Sequence, residues 1–163
     1  MQPFRASRPF DVSVVPTQRP PEDDELEGVV APLASPEVTW LAQHRELVAD
    51  LCDHETTVEA IGSLFDRVHD AWRQSSDLSD PLPLTHAFGV ALGDLVVERL
   101  PTLEWSSYSD AAGTELVLGH PRSALVVFPI SSVAAHWSTA APGWFQAHVD
   151  VVTTGAARLL AGG

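Results

Sequence analysis

The sequence contains no lysine: nine arginines face 22 aspartates and glutamates, and the formal net charge is −13. A protein that binds nucleic acid or an anionic membrane surface needs a cluster of cationic side chains to neutralise phosphates. Nothing in the sequence supplies such a cluster, so we expect neither nucleic acid nor membrane among the partners. The lack of lysine beside abundant alanine, valine, arginine and proline is typical of GC-rich coding.

Cysteine and long apolar runs are scarce as well. The single Cys52 excludes an intramolecular disulfide and gives no sign of an oxidising compartment. No stretch approaches the roughly 18 uninterrupted apolar residues of a membrane span, and the first residues lack the apolar core of a signal peptide. We therefore expect a cytoplasmic protein. The 45% hydrophobic content and five tryptophans in 163 residues predict a packed globular domain.

Residues 1–34 have the composition of a tail. They contain six prolines, which interrupt helices, and the acidic run PPEDDELEG, whose charges repel one another. We predict that this tail is largely disordered or loosely docked, and that residues 35–163 form a single α+β domain. One part of the tail, FDVSVVP at residues 10–16, alternates apolar and polar positions and predicts an edge strand that Pro16 ends.

Helical patterns dominate the next 65 residues. The segment SPE at 35–37 combines a capping serine, a proline and an acid, which favour the first turn of a helix running to about residue 51. Thr56 and Glu59 fit a capping box for a second helix, whose apolar residues recur every three or four positions to about residue 74. A third helix, residues 84–99, is apolar around most of its circumference and is predicted to be central. Its Gly89 and Gly93 share one face, where another backbone can approach closely.

From residue 103 the apolar period changes from helical to alternating. The segments LEWSSYS, TELVLG and ALVVFPI predict three strands of an antiparallel meander, joined by polar turns. Ser131 or Ser132 is predicted to cap a short helix, and a final helix is predicted to begin near Pro142. The expected fold is α+β with two layers: a three-stranded antiparallel meander packed against helices, three before it and two after it. The third and last helices are expected to cover the sheet.

Several short motifs follow one another between residues 85 and 137. The helix HAFGVALGDLVVERL precedes a strand with Trp105, a D-x-x-G-T-E turn at 110–115, and a strand that ends in Phe128-Pro129 before Ser131 opens a helix. This order resembles a bacterial family, the domain of unknown function 3806. The resemblance implies the fold of that family and no established activity. The cation expected a few residues into the next helix is replaced here by AAHW, so no charge-dependent role of that position is implied.

Cys52, Asp53, His54 and Glu55 form the best candidate cluster for metal binding, because thiol and imidazole groups are ligands of transition metals. His44 lies about 12 Å along the predicted helix from Cys52, which is too far to share one ion. A complete site therefore needs a histidine from a distant segment. The alternative interpretation is an interhelical loop whose cysteine packs inward. The corresponding alternative function is a small metal-binding protein or hydrolase that uses residues 52–55.

Other potentially reactive residues lack the partners that catalysis requires. His69-Asp70 resembles a ligand pair of metal phosphohydrolases, but that chemistry needs further histidines and aspartates at set distances. The segment PISSV lacks the G-x-S-x-G pattern that exposes a nucleophilic serine on a strained turn. We therefore predict no catalytic residue, no metal ligand and no cofactor, and interpret Ser131 and Ser132 as helix caps.

The distribution of charge is the feature that favours a function. Residues 111–163 contain two acids and two arginines, whereas residues 35–110 contain fourteen acids and four arginines. So few charges cannot cover the outer surface of the C-terminal segment, and its apolar side chains are expected to be exposed or buried against something. We predict a non-catalytic protein-interaction or self-association module that binds a protein partner, or a second copy in a homo-oligomer, through Trp137, Trp144 and Phe145. The alternative is that the tail or the first helices cover this segment within one molecule.

Overall fold

The computed structural model describes residues 12–14, as backbone, together with residues 28–77 and 79–162. Over these residues the helices are α1 (Ser35–Leu51), α2 (Val58–Gln74), α3 (Leu82–Arg99), α4 (Pro129–His136) and α5 (Trp144–Ala161). The strands are β1 (Val12–Val14), β2 (Val29–Ala31), β3 (Glu104–Asp110), β4 (Gly113–Gly119) and β5 (Leu125–Val127). No helix in the described segments is long and apolar enough to cross a membrane.

The strands form one antiparallel sheet in the order β1-β5-β4-β3-β2. The longest register joins β3 to β4, from Glu104 opposite Gly119 to Asp110 opposite Gly113. The α+β class and the meander of β3, β4 and β5 are confirmed. The prediction of a three-stranded sheet is wrong, because two short strands from the chain before α1 pair with the outer strands of the meander. The predicted order of three helices, a meander and two helices therefore leaves out β1 and β2, which come first along the chain.

Part of the segment predicted to be a tail belongs to the sheet. β1 lies within FDVSVVP and forms an edge strand against β5, as the alternation of that segment predicts. β2 pairs with β3. Its residues are VVA, between Gly28 and Pro32, and the β-branched valines favour a strand. The predicted disorder of residues 1–11 and 15–27 lies outside the described residues.

The helices begin close to the predicted residues, with different groups at their ends. The residue before the first turn of α1 is Ala34, whose amide donates to the Glu37 carboxylate at 2.8 Å. α2 is capped one residue later than predicted, by the hydroxyl of Thr57, which accepts from the Ala60 amide at 3.1 Å. α4 begins at Pro129, before the predicted serine caps, because proline fits the first turn of a helix.

α3 is the central helix that its apolar circumference predicts, and it contacts α1, α4, α5 and β4. Its two glycines mark the points of closest approach. A Cβ atom at Gly89 would lie 2.5 Å from the Cα of Ile130, and one at Gly93 would lie 2.3 Å from the ring of Trp105. α3 can therefore lie directly against the start of α4 and against β3 only because these positions lack a side chain.

The sheet buries one face against the third and last helices, as predicted. Val96 of α3 and Val152 and Ala156 of α5 pack in one cluster with Leu118 and Val127 of the sheet. A larger apolar cluster joins α2, α3, α4 and α5 and is rich in aromatic side chains. This second cluster contains the residues that the sequence predicts to bind a partner.

Candidate functional site

The three predicted partner-binding residues lie together, where α4 ends and α5 begins. Trp137 follows α4, and Trp144 and Phe145 open α5 after Gly143 turns the chain with a φ of 83°. Trp137 is 3% exposed and Phe145 is 0% exposed, whereas Trp144 is half-buried. Two of the three side chains are therefore core residues in this fold. Partner binding by these residues stays a prediction, and their buried surfaces already contact other parts of the chain.

Trp137, Trp144 and Phe145 belong to an aromatic–histidine cluster between α2, α4 and α5. Its members are Phe65, His69, Trp72, His136, Trp137, Trp144, Phe145 and His148. The ring of Phe65 lies at its centre, with its centroid 5.4 Å from those of Trp137, Trp144 and Phe145. His69 Nε2 donates to the Trp137 carbonyl at 2.6 Å. The cluster thus joins the middle of α2 to the turn between the last two helices.

A serine–histidine pair lies at one end of this cluster. Ser132 Oγ and His148 Nε2 are hydrogen-bonded, and His136 Nδ1 donates to the Ser132 carbonyl at 2.8 Å. Serine beside histidine is a pairing used in nucleophilic catalysis. However, Ser132 is 2% exposed, His148 is 6% exposed, and the Trp144 ring stacks on His148 with centroids 4.6 Å apart. Both groups are therefore buried, and the pair links α4 to α5 inside the core.

The predicted cluster at residues 52–55 forms a tight loop after α1. Asp53 and His54 have left-handed φ values of 51° and 64°, and the His54 amide donates to the Ala49 carbonyl at 2.7 Å. Burial raises the pKa of the Cys52 thiol, which disfavours the thiolate that binds metals. Among the described residues, no group of three or more His, Cys, Asp or Glu side chains could hold a metal ion. The loop ends α1, and metal or hydrolytic chemistry at this place stays a prediction.

A second group of histidines lies between α1 and α3. The Trp40 ring centroid is 4.0 Å from that of His44 and 5.3 Å from that of His86, and His44 Nδ1 donates to the Trp40 carbonyl at 2.8 Å. Burial lowers the pKa of His86 below its ordinary value. The nearby His44 lowers this pKa further, and Asp80 acts in the opposite direction. A proton on His86 is therefore disfavoured in the folded chain.

We expect His86 to make the folded protein less stable at acidic pH. Because the pKa of His86 is lower in the folded than in the unfolded chain, the unfolded chain binds the proton more readily. The contribution of His86 to the free energy of unfolding is fully present above its pKa in the unfolded chain, about 6.5. This contribution is lost as the pH falls through the pKa of His86 in the folded chain. The substitution His86→Gln should reduce the loss in free energy of unfolding between about pH 7 and pH 5, measured by urea denaturation. An equal reduction with His54→Gln, at an exposed position, would contradict the assignment to His86.

A groove of about 270 Å³ lies where α1, the start of α2 and α3 meet. Its floor is apolar, and its rim carries Arg45, Thr56, Asp94 and Glu98. Arg45 donates to both oxygens of Asp94, at 2.7 and 2.9 Å, and the indole N–H of Trp105 donates to the same carboxylate at 2.9 Å. This network joins α1, α3 and β3. Arg45 and Asp94 are hydrogen-bonded to each other. The rim of the groove therefore does not present a set of polar groups that point together at one ligand.

The solvent side of α5 is the exposed surface in the low-charge segment. Six exposed residues of α5 form what we call the outer face of α5: Ala147, Asp150, Val151, Thr154, Arg158 and Ala161. Leu159, which is 44% exposed, lies beside this face and is not part of it. Val151 is 64% exposed, more than any other large apolar side chain in the described residues. The sequence predicts that some apolar side chains of this segment, Val151 among them, are exposed or covered by a partner, but the prediction took only the aromatic residues Trp137, Trp144 and Phe145 as anchors. The buried stripe of Phe145, Val149, Val152 and Ala156 already leaves Val151 on the opposite side.

Family membership follows from a comparison of the sequence. A sequence model of the family described as Domain of unknown function (DUF3806) matches residues 66–148, half of the chain. The protein belongs to the DUF3806 family. This confirms the resemblance inferred from the motifs between residues 85 and 137. Two of those DUF3806 motif residues, Gly89 and Gly93, are the points where α3 contacts α4 and β3, so the motifs specify packing of this fold.

Among solved structures, the chain is similar to a crystal structure of a protein from Bacteroides thetaiotaomicron VPI-5482. The TM-score is 0.53 at 14% sequence identity, over 82% of this chain and 50% of that chain. At this identity the likeness shows the fold alone. This DUF3806 chain spans about half the length of that structural neighbour. A comparison with curated proteins found no match.

Proposed function

We propose that this protein is a non-catalytic interaction module that binds a protein partner through the outer face of α5. The observation that carries the proposal is the 64% exposure of Val151 at the middle of that face. An apolar side chain in water gains free energy when a partner covers it, at about 25 cal/mol per Å² of apolar surface buried. Single exposed apolar residues are common on monomers. The exposure of Val151 gains weight from its surroundings, because Ala147, Thr154 and Ala161 add small side chains to the same face.

The low charge of the C-terminal segment supports this choice of surface. Interface centres are depleted in charged residues relative to the rest of a protein surface. The outer face has one acid, Asp150, and one cation, Arg158, within fifteen residues. α1 and α2, in contrast, carry three acids each within 17 residues. A partner that covers α5 thus displaces little water from charged groups.

The rigidity of α5 also favours binding. Phe145 and Val149 are 0% exposed, Val152 is 1% and Ala156 is 0%, so the inner side of the helix is fixed in the core. A preformed surface loses less conformational freedom on association than a flexible one. The outer face is therefore presented in one arrangement, which suits a specific partner.

Site-specific photo-crosslinking tests the proposal. A photoreactive amino acid at position 151, in the full chain in cells that naturally produce it, should yield a discrete crosslinked product. Position 38 is the matched control, because Val38 is an exposed valine on α1 with 52% exposure. A product at 151 and none at 38 is the expected result. No product at 151, or the same product at both positions, would contradict binding through α5.

A further inference from the structure

We infer that the partner of the outer face of α5 is a second copy of this chain, paired antiparallel about Thr154. In this arrangement Asp150 of each copy faces Arg158 of the other copy. The inference rests on the proposed function, since it names the partner of the same surface. A twofold pairing of this kind is the commonest arrangement of soluble homo-oligomers.

The spacing of the face residues carries the inference. Asp150 and Arg158 lie four residues before and after Thr154, and Ala147 and Ala161 lie seven residues before and after it. At 1.5 Å rise per residue, the charges lie about 6 Å and the alanines about 10.5 Å from the centre, on either side. A twofold axis that passes between the Thr154 residues of two copies, perpendicular to both helices, therefore brings acid to the level of cation and alanine to the level of alanine. The face is complementary to its own copy in charge and in size.

Both charged groups have capacity for a contact with another chain. Arg158 forms no ion pair with any described residue, although it lies in the last turn of α5. Asp150 uses one carboxylate oxygen for Arg99 of its own chain, and its side chain is 68% exposed. The second oxygen can accept from Arg158 of the other copy. Two such pairs form in one dimer, and Arg99 on α3 holds each aspartate in place.

The small residues set how closely the helices approach. Ala147, Thr154 and Ala161 recur every seven residues along the exposed side of α5. Helices pack at interaxial distances of about 8–10 Å, depending on the side chains at the contact, and small residues favour the lower value. In this dimer Val151 lies beside the twofold axis, where the other copy covers its side chain.

Sedimentation equilibrium of two charge-reversal variants tests this pairing. Asp150→Arg places two cations opposite each other in both contacts of the dimer, and Arg158→Glu places two acids there. Each variant should weaken self-association by at least about tenfold relative to the natural chain, because like charges in an interface repel. An equimolar mixture of the two variants should restore association as a heterodimer, since every contact then joins opposite charges. The substitution Arg99→Gln controls for the loss of the contact within the chain when Asp150 is replaced.

The outcomes separate this inference from the proposed function. Restored association in the mixture supports antiparallel pairing about Thr154. A natural chain that stays monomeric at all concentrations, or a dimer that neither variant weakens, overturns it. If the chain is monomeric yet position 151 crosslinks a different protein, the proposed function stands and the inference that the partner is a second copy is wrong. If position 151 crosslinks nothing, both are wrong.

Discussion

Replacing Phe145 with alanine is expected to lower the free energy of unfolding by about 3–5 kcal/mol, the range for large aromatic residues in a packed core. The side chain is 0% exposed, and its ring centroid lies 5.4 Å from that of Phe65 and 6.0 Å from that of Phe88. The substitution removes these contacts and leaves a cavity between α2, α3 and α5. An effect of this size is a large part of the total stability of an ordinary domain.

Urea denaturation followed by tryptophan fluorescence measures this change. Val151→Ala is the matched control on the same helix, and its exposed position predicts a change within about 0.5 kcal/mol. A Phe145→Ala protein of natural stability that had lost a partner would contradict the packing assignment. That result would instead favour the sequence-based prediction, in which Phe145 contacts a partner.

The substitution Gly89→Ala is expected to destabilise the protein by about 2 kcal/mol. The new Cβ atom would lie 2.5 Å from the Cα of Ile130, and relief of this clash requires a shift of backbone. Overpacking of this kind costs about 1–3 kcal/mol, and a clash with backbone belongs at the upper end. Alanine recovers about 1 kcal/mol through its better helix propensity. Because the clash outweighs this gain, α3 and α4 should separate slightly and the protein should lose stability.

The same substitution at Gly155 provides the matched control. Gly155 is also inside a helix, but apart from its chain neighbours and the backbone of its own helix no atom of the described residues lies within 4 Å of the position of its Cβ. Gly155→Ala should therefore stabilise the protein by about 1 kcal/mol through helix propensity. Opposite signs of the two changes in urea denaturation at low protein concentration are the expected result. Stabilisation by both would show that α3 and α4 do not approach as closely as the Ile130 contact requires.

The elements with strong local signals were predictable. α2 has a hydroxyl cap at its start and apolar residues at three- and four-residue spacing, and it extends over Val58–Gln74, close to the predicted bounds. The glycines of α3 were predicted as a place of close approach, and Gly89 and Gly93 meet Ile130 and Trp105. Both features depend on the 3.6-residue period of a helix, so the spacing of residues in the sequence is enough to predict which of them share a face. β2 was missed because three residues give too short an alternation to distinguish a strand from a tail.

The candidate site was less predictable, because exposure depends on neighbours. Large aromatic residues anchor many interfaces, and on that ground Trp137 and Phe145 were predicted to bind a partner. The same side chains fill cores, and here Phe65 of α2 contacts both. Ser132 and His148 form a hydrogen bond although sixteen positions separate them. Periodicity within one helix carries no information about such contacts between helices.

The sequence by itself determined the α+β class, the positions of the helices, the meander and the uneven distribution of charge. These properties depend on residue type and on spacing within a few turns. Tertiary structure decided which apolar side chains of the C-terminal segment are covered. Phe145 and Val151 are six residues apart on one helix, and contact with α2 buries the first while none of the described elements covers the second. Burial is a property of packed elements, so only the arrangement of α2, α3 and α5 selects the surface that remains for a partner.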